Sequence, residues 1–213
     1  MTVLPQTEVV TPRELIAQLT QSRRVRLAYW ISQLGSPPLT AAGAALLIGF
    51  TLSSAFAWRW TLVYMVLTIL APCGYIIWLV QTGQVSDFHL PKREQRFRPL
   101  LFSLVAAIVA WLLLVQVAAP RLLQILGVVN LLQTALFFVI TLYWKISLHT
   151  AAATILAELA LVLLGPGAVL FTLSVPLIAW SRIHLERHTV EQTIGGALLG
   201  IGILTPMLLL YIQ

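Results

Sequence analysis

Two histidines accompanied by arginines and lysines are the residues of this sequence best suited to chemistry. His149 follows the stretch "YWKISL", and His188 lies in the stretch "SRIHLERHTVEQ". One imidazole can attack an electrophilic phosphorus atom while a second protonates the departing oxygen. Guanidinium groups bind phosphate oxygens two at a time. These residue types therefore predict a site that binds and attacks a phosphorylated group.

These side chains belong to three polar islands, at residues 86–99, 143–150 and 181–192, and each island leads into an apolar run. A helix that begins at such an island offers unpaired backbone N–H groups and a favourable dipole to an anion. Carboxylates are scarce there, and no spacing of His, Asp and Glu is typical of a metal site, so we expect no metal and no other cofactor. The cations of the islands are Lys92, Arg93, Arg96, Arg98, Lys145, Arg182 and Arg187.

Composition indicates where these islands must lie. Of the 213 residues, 59% are hydrophobic and 9% are charged. A soluble domain of this length cannot bury so much apolar surface, so lipid must act as its solvent. The sequence predicts an all-α integral membrane protein, a polytopic bundle of six or seven transmembrane helices. The apolar runs fall at about 38–57, 60–81, 99–119, 121–143, 149–164, 166–180 and 191–212, the fifth and sixth forming a tight helical hairpin.

The positive charges fall on one side of this predicted bundle. With seven spans, the N-terminus and all three islands share a face, and only Arg59 and Arg121 lie on the other. Cytoplasmic loops collect Lys and Arg, so we expect this face and the N-terminus in the cytoplasm, at a bacterial inner membrane. The net charge of +6 then reflects membrane topology, and we expect no nucleic acid partner. Residues 1–37 predict an amphipathic basic arm on the membrane surface, and residues 38–213 predict the bundle.

Three short motifs resemble those of the type 2 phosphatidic acid phosphatase family. Ser181-Arg182, five residues and His188 match most of that family's third motif, Ser147-x-His149 matches half of the second, and Arg98-Pro99 ends the first. The resemblance covers about residues 86–202, with the motifs in the family's order. It implies a metal-independent enzyme whose helical fold is shared with vanadium haloperoxidases.

The resemblance also implies a role for each matching residue. His188 would be the nucleophile that forms a phosphohistidine, and His149 would be the general acid for the leaving alkoxide. The residues expected to bind or assist the phosphate are Arg98, Arg182, Lys92, Lys145 and Ser147.

Three positions depart from the family pattern. Lys92 lies six residues before Arg98 where the family has seven, and Lys145 could supply the missing cation. Leu148 replaces a glycine. Gln192 replaces the aspartate that would orient the nucleophile, and its amide offers no compensating negative charge.

Some features have a structural interpretation beside the chemical one. Thr189 to Gln192 matches a capping box, which can coexist with a contact between Gln192 and His188. Gly196-x-x-x-Gly200 is typical of close helix packing. An acid within a span is costly, so we expect Glu158 to pair with a polar group on a neighbouring helix or to stay protonated.

The expected function is a membrane-embedded, metal-independent phosphatase of lipid phosphates or isoprenyl diphosphates that acts through a phosphohistidine. Its partners would be membrane lipids and the lipid phosphate substrate. The alternative is a non-catalytic subunit that binds lipid or stabilises a larger membrane protein complex. Two histidines could also serve as axial ligands of a haem or pigment, although no other feature supports that reading.

Overall fold

Every secondary-structure element of the described residues is helical. The computed structural model describes residues 12–88 and 93–212. A π-helical turn at Val66–Leu70 joins the third and fourth helices into one continuous segment, and a 3-10 turn at Arg93–Arg96 precedes the fifth. The helices are α1 Pro12–Leu34, α2 Pro37–Leu52, α3 Ala55–Met65, α4 Ala71–Gln81, α5 Phe97–Gln116, α6 Arg121–Tyr143, α7 Leu148–Leu164, α8 Ser174–His184 and α9 Val190–Ile212.

Five helical segments of the described chain are long and apolar enough to cross a membrane, and a sixth arises if α1 and α2 form one span bent by 46°. The sequence predicted six or seven spans because it counted α2 and α7 as separate crossings. At 16 and 17 residues, both are shorter than the roughly 20 residues that a spanning helix needs. The five segments are Ala55–Gln81, Glu94–Gln116, Arg121–Tyr143, Pro166–His184 and Val190–Tyr211.

The outer faces of these helices carry large apolar side chains. Phe50, Leu70 and Leu198 are each more than 60% exposed, as expected of surfaces that lipid covers. The inner faces pack around small residues, including many alanines of α7. The all-α character and the apolar surface agree with the prediction of an integral membrane protein.

Helix α7 lies at the centre of the bundle, packed against α2, α8 and α9. A Cβ added to Gly196 would collide with the Ser147 carbonyl oxygen, and one added to Gly200 would lie 2.8 Å from the Ala151 carbonyl oxygen. Only glycine lets α9 approach α7 this closely, so the predicted role of Gly196-x-x-x-Gly200 in helix packing is confirmed. The backbone N–H of Ser147 donates to the Gln192 carbonyl at 3.1 Å across this contact.

The expected hairpin at the fifth and sixth apolar runs is present. Helix α7 is followed by Gly165, whose φ of +74° is readily adopted only by glycine, and the 3-10 helix Pro166–Leu173 leads back into α8. Glu158 lies on the α7 arm of this hairpin, where it accepts a hydrogen bond from the Thr205 hydroxyl of the neighbouring helix α9. The expectation that Glu158 pairs with a polar group on a neighbouring helix is confirmed.

Helix α1 accounts for the described part of the basic arm, and it packs against α8. Ala28 and Ser32 are buried on that side, whereas Arg23, Arg24 and Arg26 are exposed. The arm therefore contacts the bundle through its C-terminal half. Its association with an anionic membrane surface remains a prediction.

Candidate functional site

A cavity of about 410 Å³ opens among α2, α4, α5, α6 and the start of α7. Arg96, His149, Arg182 and His188 line one part of it, which we call the basic end. These residues come from all three polar islands, so the islands meet at one site, as the sequence predicted. The remaining wall is mostly apolar, with Ile69, Ile76 and Phe137 among its residues.

The chain turn that follows α8 fixes His188 beside Arg182. The backbone N–H groups of Arg187 and His188 donate to the Arg182 carbonyl at 2.9 and 3.2 Å. Glu186 adopts the left-handed conformation, with a φ of +54°, and so reverses the chain direction. The five-residue spacing between Arg182 and His188 thus closes a tight turn that brings both side chains to the cavity.

Gln192 holds the His188 ring from the first turn of α9. The Gln192 Oε1 atom lies 3.0 Å from His188 Nδ1 and also accepts the Thr189 N–H at 3.2 Å. The Gln192 N–H donates in return to the Thr189 hydroxyl at 3.4 Å, which completes the predicted capping box. Because a backbone N–H can only donate, the atom facing it is the amide oxygen. Nδ1 of His188 must then carry the proton, which leaves Nε2 with a free lone pair.

Burial and positive charge keep this imidazole neutral. Burial and then the nearby Arg182 guanidinium lower the pKa of His188 to about 4, with smaller contributions from Lys145 and Arg96. The hydrogen bond to Gln192 acts in the opposite direction. An ordinary histidine has a pKa of about 6.5, so the neutral form of His188 persists well into mildly acidic conditions.

Arg182 is the most deeply buried cation of the site. It is 9% exposed, and its Nη1 donates to the Ser32 hydroxyl of α1 at 2.8 Å. Its Nε–H has no hydrogen-bond partner within residues 12–88 and 93–212. Among the described residues, the charges that act on Arg182 are those of Arg187 and Arg96, both positive. A buried guanidinium without an anionic partner is costly, so this position favours binding of an anion.

The beginning of α7 brings His149 to the cavity and uses Ser147 for another purpose. Ser147 is fully buried, and its hydroxyl accepts the Thr150 N–H at 3.4 Å as the N-cap of α7. It does not line the cavity. Leu148, where the resembling family has glycine, contributes its side chain to the wall.

The first island presents Arg96 to the cavity and directs Arg98 elsewhere. Arg98 is exposed, and its Nη1 donates to the Gln84 Oε1 atom at 2.7 Å. Arg96 ends the 3-10 turn and Arg98 lies in the first turn of α5; two positions on an α-helix are about 200° apart, so the two side chains point to opposite sides. Lys145 is exposed near Arg96, Arg182 and Arg187. Burial and these three charges lower the pKa of Lys145. Lys92 lies outside the described residues.

Sequence reasoning missed several polar residues of the cavity. Arg96 was identified as a cation of the first island but not as part of the wall. Asn130, Gln133 and Thr134 of α6 also face the cavity, at spacings of three and four that place them on one side of the helix. Polar side chains at this spacing within an apolar run were the available signal.

The structure therefore brings His149, Arg182, His188 and Gln192 together, adds Arg96, and places Lys145 nearby. Arg98 and Ser147 have other contacts. Comparisons of the chain with models of protein families, with curated proteins and with solved structures gave no match.

Proposed function

We propose that this protein is a metal-independent phosphatase that acts on lipid phosphates or isoprenyl diphosphates through a phosphohistidine intermediate. The observation that carries the proposal is the shared cavity of His149 and His188 with Arg96 and Arg182. The order and spacing of the motifs that resemble the type 2 phosphatidic acid phosphatase family support it further.

The proposed reaction begins at His188. Its Nε2 lone pair attacks phosphorus and forms an N–P bond, while the bond between phosphorus and the lipid oxygen breaks. His149 donates a proton to the departing alkoxide and is left neutral. Gln192 keeps the proton on Nδ1 and so maintains the ring orientation throughout this step.

The second step releases phosphate. A water molecule attacks the phosphohistidine and gives a proton to His149, which now acts as the general base. The N–P bond breaks, its electron pair returns to His188 Nε2, and the site regains its starting protonation state. Arg96 and Arg182 compensate the negative charge of the phosphoryl group in both steps.

The cavity walls support a lipid substrate. Apolar side chains such as Ile69, Ile76 and Phe137 line the cavity beyond the basic end. A phosphate bound between Arg96 and Arg182 would place its hydrocarbon along these residues. We further propose that the basic end faces the cytoplasm of a bacterial cell, since it belongs to the face on which the sequence places every Lys and Arg except Arg59 and Arg121.

This orientation can be measured by cysteine labelling. A cysteine placed at Leu185, in the turn after α8, should react with an impermeant maleimide only when the cytoplasmic face is accessible. Cys73 would first be replaced by alanine so that it does not react. Labelling at position 185 in intact cells would show that the basic end faces the outside of the cell and would contradict the proposed orientation.

The proposed activity can be tested by phosphate release from a set of lipid phosphates in the presence of a chelator. Purified protein should release phosphate, and His188→Ala should abolish release. His184→Ala is the matched control because His184 stacks on Trp180, with ring centroids 5.3 Å apart, and does not line the cavity. Full activity of His188→Ala would show that His188 is not the nucleophile.

A non-catalytic role is the second candidate, and the neutral Gln192 favours it. An amide orients His188 but provides no negative charge to stabilise the phosphohistidine cation, and the analogous loss in a serine protease triad lowers turnover about 10⁴-fold. In this case the cavity would bind a lipid phosphate without hydrolysis, in a subunit of a larger membrane complex. Tight phosphate-lipid binding without release, together with copurifying subunits, would favour this candidate.

A further inference from the structure

The cavity contains a second polar region, which lies deeper in the bundle than the basic end. Asn130 and Gln133 of α6 line it, and Gln133 is only 9% exposed. Both amides lie in the middle of Arg121–Tyr143, one of the segments apolar enough to cross a membrane. We call this pair the amide region.

Neither amide makes a hydrogen bond to another residue that the structure describes, and both side chains line the cavity. Each offers two donors and an oxygen acceptor. Leaving such groups unsatisfied in an apolar environment costs free energy, and a leucine at either position would avoid that cost. Their presence on the cavity wall therefore indicates a polar occupant in the cavity at this depth.

The helix geometry gives the distance between the two polar regions. Arg96 adjoins Phe138 and Thr141 of α6 in a neighbouring cleft, so the basic end is level with these two residues. Gln133 precedes Phe138 by five positions and Thr141 by eight on α6. At 1.5 Å per residue it therefore lies about 8–12 Å deeper than the basic end. An occupant that spans both regions would carry a phosphate at one end and a hydrogen-bonding group about 10 Å away.

We propose that Asn130 and Gln133 form a binding subsite for a hydrogen-bonding group, an ester or amide carbonyl or a hydroxyl, within the lipid part of the ligand. This inference rests on the proposed function because it takes the ligand to be a lipid phosphate. It selects among the candidates, since an isoprenyl chain carries no such group. The preferred substrates are then lipid phosphates with an oxygen-bearing linkage between phosphate and hydrocarbon.

The π-helical turn opposite α6 fits this assignment. Thr68 and Ile69 of the turn Val66–Leu70 line the same cavity as Gln133. Single π turns occur frequently at functional sites because they widen a helix locally. The Thr68 hydroxyl donates to the Tyr64 carbonyl within its own helix, so the donors that face the cavity at this level are the two amides and the neighbouring Thr134 hydroxyl of α6.

Binding of two non-hydrolysable probes tests the subsite directly. The probes are an acylglycerol phosphonate and an alkyl phosphonate of equal chain length, titrated calorimetrically into the full-length protein in lipid nanodiscs. The wild type should bind the acylglycerol phosphonate about 10-fold more tightly, the effect of one or two hydrogen bonds. Gln133→Leu should abolish this preference by weakening binding of that probe alone.

Gln124→Leu provides the control because it is the same substitution on the same helix, at a side chain that donates to the Ala119 carbonyl and does not line the cavity. It should retain the preference. Asn130→Leu gives a second reading should Gln133→Leu fold poorly. Equal binding of both probes by the wild type, or an unchanged preference in both cavity variants, would show that the amides contact only water and would overturn the proposal.

The binding experiment is independent of turnover because neither phosphonate can be cleaved. Preference for the acylglycerol probe without phosphate release from any lipid would support the subsite and contradict the proposed enzymatic function. Hydrolysis of lipid phosphates without regard to their linkage would support the proposed enzymatic function and contradict the subsite.

Discussion

Replacement of Gly196 by alanine should separate the two helices that carry the proposed catalytic residues. Helix α7 begins next to His149, and α9 begins just before Gln192. Gly196 lies where the two helices approach most closely, and a Cβ there would collide with the Ser147 carbonyl oxygen and the Thr150 hydroxyl. The collision involves backbone, so a side-chain rotation cannot relieve it.

The cost of this substitution can be worked out from the contact itself. At the neighbouring position Gly200, a Cβ would fall about 0.6 Å short of an ordinary 3.4 Å contact with the Ala151 carbonyl, and Gly196 is tighter still. If the helices stay in place, overpacking costs about 1–3 kcal/mol. If they separate, two hydrogen bonds weaken, from Ser147 N–H to the Gln192 carbonyl and from the Thr150 hydroxyl to the Thr193 carbonyl. At about 0.5–1.5 kcal/mol each, this route also costs about 1–3 kcal/mol.

Equilibrium unfolding of the detergent-solubilised protein measures this loss. Gly202→Ala is the matched control because a Cβ there meets nothing within 4 Å. It should be neutral or slightly stabilising, since alanine favours helix more than glycine does. Phosphate release should fall about 100-fold in Gly196→Ala, as expected for a displacement of about 1 Å between reacting groups. Equal stability of the two variants would refute the account of the contact between α7 and α9.

Four further predictions concern the basic end. Because the pKa of His188 is lowered to about 4, its neutral form is lost only as the pH falls towards 4, and kcat/KM for phosphate release should not show an acid limb from this residue near pH 6.5. Removing the Arg182 charge as Arg182→Gln should raise that pKa, which an NMR titration of the imidazole would detect. Gln192→Glu should raise the pKa of His188 and increase kcat because a carboxylate stabilises the phosphohistidine cation; a lower kcat with a raised pKa would contradict the assigned role. Ser32→Ala should raise KM about 10-fold with little change in kcat, since the charged Arg182 guanidinium loses its hydrogen bond to the Ser32 hydroxyl. Ser174→Ala at the other end of α8 should leave KM unchanged.

The features that the sequence predicted correctly are local or depend on composition. The capping box of Thr189 and Gln192 spans four residues, so its geometry follows from the helix start alone. The apolar runs predicted the helices because lipid requires every spanning backbone to satisfy its own hydrogen bonds. Gly196 and Gly200 lie on one face of one helix at a spacing of four, which indicates close packing without knowledge of the partner helix.

The features that the sequence did not predict depend on how distant elements pack. Arg182 and Ser32 are 150 positions apart, so no local pattern relates them. Whether Arg96 or Arg98 enters the cavity depends on the rotation of α5 about its own axis, which its packing against other helices sets. The spacing of Asn130, Gln133 and Thr134, which the sequence analysis missed, is compatible with a polar face on α6, but spacing alone does not show whether such a face meets lipid or the cavity. Each case needed the tertiary arrangement.

The central claim is that His188 forms a covalent bond to phosphorus, and a rapidly quenched reaction tests it most directly. Wild-type protein mixed with a lipid phosphate would be denatured during turnover, kept at alkaline pH where phosphohistidine survives, and digested for mass spectrometry. The account predicts a phosphoryl group on His188 that appears and decays at rates consistent with phosphate release. Phosphate release without any modified His188, with equal activity in His188→Ala, would contradict it.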